Sequence, residues 1–322
     1  IISSRHYRPS KSVELDNLRK QLDGAQQKLA RALAEDPDLA ESPAFKAEPE
    51  ATRAIMAAVA YRYIRLTHRK EERTPEVAKR SFALLTLMNS LPAAPVPETR
   101  NPEPPEKGHG TQMLGVSGGQ REGEQDFGEL TYRLTYHDLL DNQYGFLRGA
   151  QIEGLDLTLR STESGQVKLE ELDVVSIRSL APRNRFMKPL SWYVEGGLER
   201  AWAGRRRLVR YIQGGAGGSW LWGNWQPYLL TSVRMENNSE FGTFLTPGAG
   251  LDAGILYHRG DWQWQLGSVG HYFTNDEYRS SSQFAVQWAM TRQHGLRASL
   301  ERENRRGGYD DEFKLQWRWY YD

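Results

Sequence analysis

Few residues of this chain are equipped for chemistry. Tyr136-His137-Asp138, with Asp141 close behind, sets an imidazole beside carboxylates, the pairing that can orient a general base. No serine or other nucleophile is tied to it by spacing, and the alternative is a histidine that tops a strand or lines a polar lumen. Gly108-His109-Gly110 puts a second imidazole between glycines, where backbone either approaches a ligand closely or hinges. His137, Asp138 and His109 are thus the catalytic candidates, and they form no convincing constellation. Gly214–Gly218 lacks the lysine and helix start of a phosphate loop and reads better as strand glycines that allow close side-chain approach. The seven histidines show no metal-ligand spacing, and the absence of cysteine removes thiolate chemistry and disulfides. The acids Glu170-Glu171 and Asp310-Asp311-Glu312 read as solvated charge. No metal and no cofactor is expected.

The elements that carry these residues change character along the 322-residue chain. Up to about residue 91 the apolar period is helical. Leu15, Leu18, Leu22, Ala25 and Leu29 form one stripe behind a Ser12 cap, and a second helix starts near Pro49 with Ile55, Val59, Tyr63 and Leu66 on one face. A third has Thr74 as cap, Pro75 at its first position and Glu76 on the dipole, and is expected to bury Val77, Ser81, Leu84, Leu85 and Met88. Residues 92–112 are a linker in which Pro92, Pro95, Pro97, Pro102, Pro104 and Pro105 forbid helix and sheet. From Met113 to Asp322 the period becomes two, as in Leu130/Tyr132/Leu134/Tyr136, Phe284/Val286/Trp288 and Phe313/Leu315/Trp317/Trp319/Tyr321. About twelve strands can be placed, with a phase break near Glu170–Leu172 that suggests a bulge.

Alternation alone fits a soluble sandwich or barrel as well as a membrane barrel. Strands of about 9–14 residues favour the second, since roughly 9–11 tilted residues cross a bilayer. So does the gathering of Trp192, Trp202, Trp220, Trp222, Trp262 and Trp319 towards strand ends, a membrane girdle. The fold class expected is therefore mainly β, an antiparallel transmembrane β-barrel in a bacterial outer membrane. It is preceded by a small α-helical periplasmic segment (residues 1–91) and the proline-rich linker (92–112), with the barrel itself over 113–322. Its polar faces put Arg133, Gln263, Gln265, Arg297, Glu301, Lys314 and Arg318 on the lumen. A net charge of +1 without a basic stripe excludes nucleic acid as a partner. No stretch is long and apolar enough for a spanning helix, and the opening Arg5-His6-Tyr7-Arg8-Pro9 reads like sequence from within a longer protein.

Several stretches together resemble a known family. They are Tyr7-Arg8-Pro9-Ser10, Ala58–Tyr63, Pro104–Gly110, Leu130–Asp141, Gly149–Arg160, Ser179–Arg183 and Ser191–Arg200. The chain resembles, over nearly its whole length, the C-terminal region of bacterial envelope proteins whose N-terminal part is the Lnb-type periplasmic domain. Some members of that family are linked to lipoprotein N-acylation. The resemblance implies that the catalytic residues lie in that N-terminal domain, so none is carried over. It implies an outer-membrane anchor whose partners are outer-membrane lipid and the N-terminal periplasmic domain of the same parent protein. A pore or transporter, and a barrel enzyme acting on membrane lipid with His137 as base, are the alternatives.

Overall fold

The computed structural model describes residues 7–68, 74–99, 101–122, 126–162, 165–202, 206–237, 244–305 and 307–322. Two compact units are present: the residues up to Glu103 with Arg185–Met187, and Pro104–Asn184 with Lys188–Asp322.

The first unit is helical. Ser10, not Ser12, caps α1 (Lys11–Arg19), its Oγ accepting from the Val13 amide. The single stripe expected through Leu29 is broken, because Asp23 caps a new helix, α2 (Gly24–Glu35), in a reciprocal box with Gln26. A short α3 (Pro43–Lys46) precedes α4 (Glu50–Thr67), which is buried on nearly every side from Ala54 to Ala60 and so forms the unit's centre. Thr74 and Pro75 start α5 (Pro75–Ser90) as the sequence indicates, but only Val77 and Leu84 of it are buried, and Leu85 is exposed. Phe186 completes this core, edge-on to Tyr63 at 5.6 Å. Among the described residues no helix is long and apolar enough to cross a membrane.

The second unit is a closed barrel. Its strands are β1 (Gln112–Arg121), β2 (Phe127–His137), β3 (Ala150–Thr162), β4 (Val167–Ser179), the two-residue β5 (Pro182–Arg183), β6 (Ser191–Trp202), β7 (Arg206–Trp220), β8 (Trp225–Asn237), β9 (Thr246–Arg259), β10 (Trp262–Phe273), β11 (Tyr278–Ala289), β12 (His294–Arg305) and β13 (Gly308–Tyr321). All but β5 form one antiparallel ring. β1 pairs with β13 from Gln112↔Tyr321 to Arg121↔Glu312, and β7 pairs with β8, so no edge is left to recruit another strand. The phase break is a bulge at Glu170, where pairing steps from Thr158↔Glu171 to Leu159↔Leu169.

The barrel is built inside out. On β8, Leu229 and Val233 are 49% and 51% exposed, while the alternate residues Arg234 and Glu236 are 7% and 1%. The same holds around the ring, with Leu130, Leu251, Leu266, Leu300 and Leu315 outside and charged groups inside. A soluble sandwich buries its apolar face, so this alternation is that of a transmembrane barrel. Inward glycines make room for inward aromatics. The Tyr193 ring on β6 passes over β7 to put its hydroxyl 2.5 Å from Ser232 Oγ on β8. A Cβ on Gly215 would lie 2.5 Å from Tyr193 Cε1 and closer still to the Thr231 carbonyl oxygen. Gly215→Ala is expected to cost about 1–3 kcal/mol. The readout is a lower temperature for the gel-mobility change that separates folded barrel from heated chain, and an unchanged temperature would refute the packing argument.

Candidate functional site

The two ends of the barrel differ. At the rim away from Gln112 and Tyr321, every connection is eight residues or shorter. At the mouth where the first and last strands begin and end, the β2–β3 connection, residues 138–149, is long and folds inward. Its first four residues make a tight turn. Asp138 Oδ1 accepts from the amides of Leu140 (2.8 Å) and Asp141 (3.0 Å), and the Asp138 amide donates back to Asp141 Oδ2 (3.0 Å).

This turn plugs the mouth from both sides. Towards β2 and β11–β13, Asp141 meets Arg133 at 2.6 Å, Arg318 at 2.8 Å and the Tyr320 hydroxyl at 2.5 Å, with no exposed side-chain surface. Asp138 meets Arg318 at 2.6 Å and Arg297 at 2.8 Å. Towards the opposite wall, Leu139 joins Leu180, Tyr193, Tyr228, Leu230 and Leu256 in an apolar layer. Gly149, at φ +74°, ends the loop and accepts from the Leu180 amide (2.7 Å). Burial by itself pushes both plug carboxyls up; the surrounding guanidiniums outweigh it and hold both well below the usual carboxylate range. The plug is ionised at any ordinary pH.

Beyond the plug lies a polar cavity of about 440 Å³. Arg178 on β4 spans it to Asp252 on β9 at 2.6 Å and also holds Glu195 at 3.1 Å. At the far rim Arg206 reaches Glu303 across the lumen at 3.1 Å, while Arg121 and Arg160 share Glu312. Ser232 Oγ sits 2.6 Å from His271 Nε2, the spacing of a nucleophile and its base. Yet Ser232 is 1% exposed and its oxygen is also held by Tyr193, so the chain of three is cross-strand bracing. No sequence signal linked Ser232 and His271, which lie 39 residues apart on β8 and β10.

A family model described as a domain of unknown function, DUF7840, matches residues 102–320, all of the barrel but its last strand residue. The chain belongs to the DUF7840 family. A second model of the same kind, DUF7842, matches the helical part, residues 5–98. No curated protein matches the chain. Among solved structures it is similar to an outer-membrane channel from Pseudomonas putida F1 (10% identity, 71% of this chain and 100% of that one, TM-score 0.40). It is also similar to the KdgM porin in complex with disordered oligogalacturonate (11%, 65% and 99%, 0.36) and to a loop-deletion mutant of Vibrio cholerae OmpT (9%, 65% and 97%, 0.34).

In the DUF7840 barrel the candidate catalytic residues meet at the plug without forming an acid–base pair. Asp138 is committed to Arg297 and Arg318. His137 is buried against Phe146 at 4.4 Å, and neither of its ring nitrogens has a hydrogen-bond partner among the described residues. The expected orientation of His137 by Asp138 is therefore corrected. His109 stacks on the same Phe146 ring and lies tilted against Tyr320, each at 4.5 Å, and its Nδ1 lies 2.6 Å from the Gly110 carbonyl oxygen. Burial lowers its pKa against the pull of Asp141, leaving it neutral at pH 7. Gly108-His109-Gly110 is no hinge: Arg292 donates to the Gly108 carbonyl and the Gly110 amide donates to Gln293 at 2.9 Å.

Arg133, Arg297 and Arg318 face the lumen at the plug. Gln265, Glu301 and Lys314 line the cavity, and Gln263 is buried beside the mouth with its Nε2 on the Gly260 carbonyl (2.9 Å). Glu170, Glu312 and Asp310 are not simply solvated turn charge: the first two join the rim ion pairs, and Asp310 stands on β13 opposite Glu303. Trp192, Trp220, Trp222, Trp262 and Trp319 are all exposed, and all stand at the plugged mouth, Trp222 in the β7–β8 turn and not on a strand. Trp262 stacks on Trp288 at 5.8 Å. The side chain of Trp202 lies outside the described residues; its backbone ends β6 at the opposite rim. Among the described residues no group of histidine and carboxylate side chains could hold a metal ion.

Proposed function

We propose that this chain is a plugged outer-membrane barrel that anchors a periplasmic activity of its own polypeptide, and is not a standing pore. The observation that carries the proposal is the Asp138–Asp141 turn, which fills one mouth with an ion-pair cluster on one wall and an apolar layer on the other. A barrel kept for passive diffusion leaves a water-filled bore, whereas a barrel kept as a scaffold gains from a braced interior. Outer-membrane lipid is then the partner of the apolar outer band, and the helices of residues 11–90 belong to the periplasmic side. Any acyl transfer to lipoproteins belongs to an Lnb-type N-terminal periplasmic domain, as the family resemblance implies.

A second reading, a gated channel, draws on the cavity beyond the plug. Planar-bilayer recording separates the two. The wild-type barrel is expected to give no conductance steps over a wide voltage range, and regular steps from the unmodified protein would sink the anchor reading.

A further inference from the structure

The plug cluster divides its charges unevenly between wall and loop. The wall supplies Arg133 on β2, Arg297 on β12 and Arg318 on β13, together with the Tyr320 hydroxyl and the Gln287 amide. Among the described residues the wall answers them with two carboxylates, Glu153, at 2.9 Å from Arg133, and Asp156, opposite Arg133 in the β2–β3 register. The two remaining anions, Asp138 and Asp141, both belong to the connecting turn. Were the turn withdrawn, three guanidiniums would face two wall carboxylates, a net charge of about +1 in a buried layer where unpaired charge is costly. The donors converge from different strands on a space the size of two carboxylates. Arginine forks in such a cluster suit planar or tetrahedral oxyanions.

The geometry points to an oxyanion-binding site formed by Arg133, Arg297 and Arg318, in which Asp138 and Asp141 stand as a built-in surrogate for a phosphate- or carboxylate-bearing solute that enters by the plugged mouth. The site does not depend on the anchoring role: the barrel can remain silent in a bilayer and still bind an anion there. The turn is suited to leave. Its polar hold on the wall runs through the two carboxylates, and Gly145 and Gly149, at φ +80° and +74°, lie on its return path where L side chains are strained. Ligand and turn compete for the same donors, so the apparent affinity in the wild-type chain is reduced by the fraction of time the turn occupies them.

The test uses the full chain refolded in detergent, with pyrophosphate as probe and sodium chloride of equal ionic strength as control. In the double variant Asp138→Asn/Asp141→Asn the guanidiniums lose their anions. Pyrophosphate at about 100 times its dissociation constant is expected to raise the unfolding midpoint by about 5 °C or more over chloride. Adding Arg297→Gln to that variant is expected to abolish most of the gain. In the wild-type chain, excess pyrophosphate is expected to speed hydrogen exchange at the Leu140 and Asp141 amides, which the plugged turn protects. A double variant stabilised no more than by chloride, a triple variant stabilised as much as the double, or wild-type amides that ignore the anion would each overturn the site. If the double variant does not fold, Asp138→Asn alone removes the nearest anion of Arg297, leaving it Asp141 at 3.5 Å and the Gln287 side chain, and the same comparison, with a smaller expected gain, decides.

Discussion

Asp141→Ala is expected to destabilise the barrel by about 3–5 kcal/mol, the cost of leaving buried charges without their partner. Asp141 has no exposed side-chain surface and is, among the described residues, the one group that touches both Arg133 and Arg318 at under 3 Å. Removing it also strands the Tyr320 hydroxyl and the Asp138 amide, each of which donates to it. Asp138→Ala is expected to cost less, because Arg318 keeps Asp141 and Arg297 keeps Gln287 at 2.7 Å. Urea titration of the refolded barrel measures both, and equal losses would mean that the turn and not the ion pairs holds the plug. The pH dependence follows from the sign of the shift. The folded carboxyl titrates below its unfolded value of about 3.9, so its contribution is present above that value and fades as pH falls below it. The difference between wild type and Asp141→Ala is therefore expected to be intact at pH 5 and to shrink only in stronger acid.

How much of this was legible in the sequence depended on the range of the interaction. Alternation is a local signal, so all twelve barrel strands could be placed, and the bulge showed as a slip of phase at Glu170. Which face points out is not local. Strand length and the gathering of tryptophans at strand ends tilted the reading towards lipid, and the structure bears it out, with Leu229 and Val233 exposed where Arg234 and Glu236 are buried. The helical stripe from Leu15 to Leu29 misled because periodicity survives a short break; the capping box of Asp23 and Gln26 was the signal that divides it into two helices. At the site, the sequence brought His137, Asp138 and Asp141 together and assigned them the wrong relation. Of the acids' true partners, Arg133 lies only eight residues before Asp141, while Arg297 and Arg318 come from strands more than 150 residues away. A guanidinium set assembled by barrel closure leaves no spacing motif, whereas a neighbouring histidine imitates one.

The apolar outer face makes the second large prediction. Leu251 lies near the middle of β9 and is 56% exposed, next to Asp252, which points inward to Arg178. On a soluble protein an exposed leucine accepts arginine with little change, since surface substitutions rarely exceed about 0.5 kcal/mol. On a lipid-facing strand the same change carries a guanidinium to the depth of the hydrocarbon and is expected to cost about 2–4 kcal/mol near the midplane. Leu251→Arg should therefore fold poorly into phospholipid vesicles. An arginine at Trp262, at the tryptophan-rich end of β10, should cost much less, because the penalty falls towards the interface. Reversible folding into vesicles, followed by tryptophan fluorescence in urea, gives both numbers. The depth dependence is the decisive part: lost packing alone would not grade with distance from the rim, whereas lipid must. Equal, small losses at both positions would mean that water, not lipid, bathes the outer face, and the inside-out alternation would then need a protein partner to cover it.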